Sequence, residues 1–117
     1  MNLENLLILQ DTTTKKSYGF YYRLAEVDEW IEYGRQRLKI SREKDEDLAS
    51  QSLMRLHIDW GEKIIEGVKE GDFDFSSDPG SEKFDPEWKT VLKKRFYYLF
   101  PPLIDYAFRG GAVAEKN

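Results

Sequence analysis

Ser17-Tyr18-Gly19-Phe20-Tyr21-Tyr22-Arg23-Leu24 is the stretch whose reading decides the fold. Two readings compete in it. Phe20 and Leu24 continue into Val27, Ile31, Gly34 and Leu38 at alternating intervals of four and three, the spacing of a helical seam. Yet Tyr18-Gly19-Phe20-Tyr21-Tyr22 is rich in aromatic residues, which favour strands. The seam is the longer pattern and predicts a helix that Ser17 would cap. The fold expected on that basis is all-α: a small bundle of about three long helices plus a short N-terminal element. The alternative is α+β, with residues 5–10 and 17–23 pairing as an N-terminal β-hairpin packed on helices that start near Ala25.

Upstream, Leu3, Leu6, Leu7 and Gln10 share a helical face that Asn2 would cap, although Leu6 to Leu9 also suits a short buried strand. Asp11 to Lys16 is polar and reads as a loop. Downstream, Leu53, Leu56, Trp60, Ile64 and Val68 form one apolar stripe, predicting a second helix from Ser41 to Gly71. Residues 72–83 read as a loop containing Pro79-Gly80. A third helix is announced by Asp85 as cap and Pro86 in the first turn, and runs to about Leu99. Pro101-Pro102 is expected to kink or break it before a short helix to Arg109. The chain reads as one domain, residues 1–117, with 112–117 a flexible tail. On this pattern Trp30, Trp60 and Trp88 belong to the core.

The chain has 117 residues, 40% apolar, 34% charged and 15% aromatic, the composition of a globular domain. It has no cysteine, which excludes disulfides, thiol catalysis and thiolate metal sites. No charged-then-apolar leader opens it and no apolar run reaches membrane-spanning length, so the expected setting is cytoplasmic, without a membrane.

Charge is unevenly spread. Residues 1–40 carry six basic and six acidic groups, 41–85 carry six and thirteen, and 86–117 carry six and three. The net charges are therefore 0, −7 and +3. The acidic middle and basic end either compensate each other within the fold or offer oppositely charged faces to partners.

Little here suggests catalysis. His57 is the only histidine and lies on the apolar stripe, where a partly buried packing role fits better than a general base without a nucleophile. Asp72, Asp74, Ser76 and Asp78 occupy alternate positions of a calcium-loop pattern. Ser77 and Lys83 stand where that pattern needs its glycine and its bidentate glutamate, so an acidic surface loop is expected. No cofactor is expected and no enzyme.

Two functions remain. The first is a non-catalytic protein–protein interaction module, an adaptor, small subunit or inhibitor, using an acidic and aromatic surface to engage a basic protein. Tyr21, Tyr22, Tyr33, Tyr97 and Tyr98 are its candidate contacts. The second is a nucleic-acid-associated helical subunit. Lys89, Lys93 and Tyr97 would form one ribbon and Lys94 and Tyr98 another, with Arg95 beside them, setting cations next to stacking faces. The 4-3 seam also leads us to expect a homo-oligomer.

Overall fold

The computed structural model describes residues 5–109. The capping role of Asn2, the place of Leu3 and the expected tail 112–117 fall outside the described residues. The fold is mixed, with a three-stranded antiparallel sheet beside helices, which corrects the all-α expectation in favour of the hairpin alternative.

Strand β1 (Asn5–Gln10) pairs with β2 (Ser17–Tyr22), from Asn5 opposite Tyr22 to Gln10 opposite Ser17. Alternation won over the helical seam because Tyr18, Phe20 and Tyr22 all bury their rings on one side, Phe20 completely. The turn between the strands closes on Asp11. Its backbone N–H donates to the Lys16 carbonyl at 2.8 Å, and its carboxylate accepts from the N–H groups of Thr13 and Thr14 at 2.9 and 3.3 Å.

Helix α1 (Val27–Ser41) begins ten residues later than Ser17, with Glu26 and Glu29 forming a capping box. Helix α2 (Glu46–Ile64) is shorter at both ends than expected. Asp45 rather than Ser41 caps it, its carboxylate accepting from the N–H groups of Asp47 and Leu48 at 3.0 and 3.2 Å. At its other end it passes without a loop into β3 (Ile65–Val68), which pairs with β2 across a bulge at Tyr21 and Tyr22.

The last segment is also redistributed. Helix α3 (Trp88–Arg95) stops at Phe96, a 3₁₀ turn (Tyr97–Leu99) follows, and α4 (Phe100–Phe108) begins there. Pro101 and Pro102 occupy the first turn of α4, where a missing N–H costs nothing, so they start a helix instead of breaking one.

Phe20, Ile64, Ile65, Leu92, Phe100, Leu103 and Ile104 make the centre of the core, with the sheet on one side and α2, α3 and α4 on the other. Phe73 and Phe75, from the long loop after β3, join Tyr18, Phe20 and Phe96 in a chain of rings with centroids 5.0–6.4 Å apart. The 4-3 seam, by contrast, lies outside: Leu24, Val27, Ile31 and Leu38 are all exposed. Trp60 is buried and Trp88 partly so, but Trp30 is 58% exposed, against the expectation that all three serve the core. Among the described residues no helix is long and apolar enough to cross a membrane.

Candidate protein-binding pocket

The basic ribbon is largely spent inside the molecule. Lys89 Nζ donates to the carbonyl of Glu62 at 2.7 Å, and Lys93 Nζ lies 3.2 Å from Glu62 Oε1. Burial holds the Lys89 ammonium below its usual pKa. Arg95 grips Asp74 with both guanidinium nitrogens, at 3.1 and 3.2 Å, which in turn lowers the Asp74 pKa. Tyr98 donates to Asp11, and only Lys94 and Tyr97 remain exposed without an ion-pair or hydrogen-bond partner among the described residues. The basic end thus compensates the acidic middle, Lys93 with Glu62 and Arg95 with Asp74.

The candidate tyrosines are dispersed. Tyr33 is buried and stacked on Phe108 with centroids 4.0 Å apart, and Tyr22 is buried edge-on to Tyr106. Both rings lie mostly inside the fold, Tyr33 at the floor of a groove between α1 and the end of α4. Tyr21 is half-buried and faces a cavity.

That cavity, of about 660 Å³, lies between β3, the loop after it and the start of α3. Tyr21, Phe84 and Trp88 bring aromatic rings to it, and Glu66, Glu70 and Asp78 bring three carboxylates. No lysine or arginine lines it, and none of the three carboxylates enters an ion pair among the described residues.

The loop is folded into place by serines. The Val68 N–H donates to Ser77 Oγ at 2.9 Å, which ties the loop along β3. Ser76, fully buried, exchanges backbone bonds with Lys83 and Asp85 at 2.9 and 3.1 Å. Its hydroxyl donates to one Glu70 carboxylate oxygen, and Ser81 Oγ donates to the other at 2.7 Å. These two hydroxyls hold the Glu70 carboxyl below the usual carboxylate range. Asp78 is fixed by the Gly80 N–H at 2.9 Å. Glu66 is exposed on β3 and enters no ion pair among the described residues, although its charge is felt by Arg23 and Lys89.

The calcium-loop pattern is occupied by structure. Asp72 accepts from the Gly19 N–H at 2.8 Å, Asp74 holds Arg95, and Ser76 holds Glu70. No metal-binding cluster is present among the described residues. His57 is half-buried on α2, and burial lowers its pKa.

Sequence reasoning found Tyr21 and the acidic middle but missed Glu66, Glu70, Asp78, Phe84 and Trp88 as one group. Their separation in sequence closes only when the loop lies back on β3. No protein family, no curated protein and no solved structure matches this chain.

Proposed function

We propose that the protein is a non-catalytic binding module that receives a basic side chain of a partner protein in the pocket of Tyr21, Phe84, Trp88, Glu66, Glu70 and Asp78. The observation that supports this most is the combination of three carboxylates and three rings around one cavity that contains no cation of its own. A lysine ammonium or arginine guanidinium is attracted by both kinds of lining, through charge and through the negative faces of the rings. Glu70 and Asp78 are already oriented by hydrogen bonds, so little ordering remains to oppose binding. A nucleic-acid partner is less well supported, because it would rest on Lys94 and Tyr97 alone.

Titration of the protein with a short arginine- and lysine-rich peptide, followed by tryptophan emission and amide NMR shifts, tests the reading. Shifts should centre on Tyr21, Trp88 and Ser77, weaken as salt is raised, and decline at least roughly tenfold in affinity with Glu66→Lys. Glu66 makes no hydrogen bond through its side chain among the described residues, so the variant should fold normally. The reading fails if millimolar peptide leaves these signals unmoved, or if Glu66→Lys binds as the parent does.

A further inference from the structure

The exposed seam of α1 shares no residue with that pocket. Val27, Ile31 and Leu38 are 70%, 61% and 52% exposed, and Trp30 stands beside them. Trp30, Ile31 and Leu38, together with the end of α4, flank a groove of about 750 Å³, into which the buried Tyr33–Phe108 stack looks out. Apolar residues in a 4-3 row on a helix that the other described residues leave uncovered mark a surface for another helix.

Two features of α1 say which helix. The first is its charge order. Glu26, Asp28, Glu29 and Glu32 all precede Gly34, while Arg35, Arg37, Lys39 and Arg42 all follow it. Part of that order suits the helix macrodipole, and Glu29 and Glu32 already pair within the chain, with Arg23 and Arg35. Asp28, Lys39 and Arg42 enter no ion pair among the described residues. The second is Gly34, at the midpoint of α1 and on the apolar row. A Cβ there would meet nothing within 4 Å among the described residues, so these place no steric need on a glycine that weakens its helix. A second helix crossing close at that point supplies the need.

We infer that α1 is the twofold interface of a homodimer, two α1 helices crossing antiparallel at Gly34. An antiparallel pair sets the acidic half of each helix against the basic half of the other, and a twofold axis through the midpoint makes the contact self-complementary. A parallel pair would set like charges together. Asp28 and Arg42, two heptads apart on one edge of the row, come to opposite ends of the shared interface and face each other across it.

Sedimentation equilibrium of the full chain over a wide concentration range is the test, with circular dichroism confirming that each variant is folded. The expected result is a dimer that Ile31→Glu weakens at least roughly tenfold. Gly34→Leu should weaken it similarly, although the monomer has room for the new side chain. Asp28→Arg should weaken it, and adding Arg42→Asp should restore it. A monomer at every concentration overturns the inference, whether the groove is then free, covered by residues 110–117 or reserved for another protein. A dimer unaffected by Ile31→Glu and Gly34→Leu overturns it as well.

Discussion

The hydroxyl of Tyr98 donates a 2.8 Å hydrogen bond to Oδ2 of Asp11, joining the β1–β2 turn to the 3₁₀ turn before α4 across 87 residues of sequence. Asp11 already receives the N–H groups of Thr13 and Thr14, so one carboxylate closes the hairpin and anchors it to the C-terminal half.

Partial desolvation of the phenol, and its bond to Asp11, push the Tyr98 pKa up from 10.0 to about 12. The folded protein therefore holds this proton where the unfolded chain releases it. The resulting stability is complete below pH 10 and declines as pH rises toward about 12. Tyr98→Phe should remove that alkaline limb from urea midpoints measured between those values, while lowering stability at neutral pH. Parallel curves for the two proteins would refute this.

Glu29 behaves in the opposite sense. Its bonds to Arg23, and the Glu26 N–H, depress its pKa from 4.5 to about 2. A depressed carboxyl contributes stability above its unfolded pKa and loses it on acidification, here between pH 4.5 and about 2. Glu29→Gln should flatten the acid limb in that window and weaken the start of α1, read by helical ellipticity against pH.

Two helix glycines should respond to alanine with opposite signs. At Gly34 the new methyl meets nothing, so Gly34→Ala should stabilise the monomer by about 0.5–1 kcal/mol. At Gly61 on α2 it would collide with the ring of Phe100, itself fully buried. Gly61→Ala should therefore cost about 1–3 kcal/mol through overpacking. Chemical denaturation at dilution compares them directly.

Replacing Lys93, Lys94 and Arg95 with glutamine should leave affinity for a single-stranded oligonucleotide unchanged and low. It should instead remove the exposed contacts of Lys93 with Glu62 and Arg95 with Asp74, each worth about 0–1 kcal/mol. Tight oligonucleotide binding that this variant abolishes would return the ribbon to function.

Much of this architecture was visible in the residues, though not always in the right order. The hairpin was readable from Tyr18, Phe20 and Tyr22, but Phe20 and Leu24 also fell in register with the α1 seam by chance of spacing, and the longer pattern misled. Asp45 as the α2 cap stood beside Ser41, and only competition between neighbouring caps separates them. The helical stripe of α2 was right, yet its last member, Val68, belongs to a strand, because β3 needs Ile65 to Val68 extended against β2. Pro101 and Pro102 were correctly marked as a discontinuity and assigned to its wrong side. The pocket was least legible, since Trp88 reaches Glu66 only through the serine bonds that fold residues 69–87 back, and hydroxyl bonds leave no periodic trace in sequence.

The direct passage of α2 into β3 also has a mechanical meaning. With no residue between Ile64 and Ile65, the rod and the strand have the shape of one crank, with an arm of about 28 Å from Glu46 to the bend. The handle of that crank is the solvent-exposed end near Leu48, and Glu66 sits just beyond its pivot. The direction of the α2 axis therefore sets the direction in which β3 leaves it, and with it the place of Glu66 at the rim of the acidic cavity.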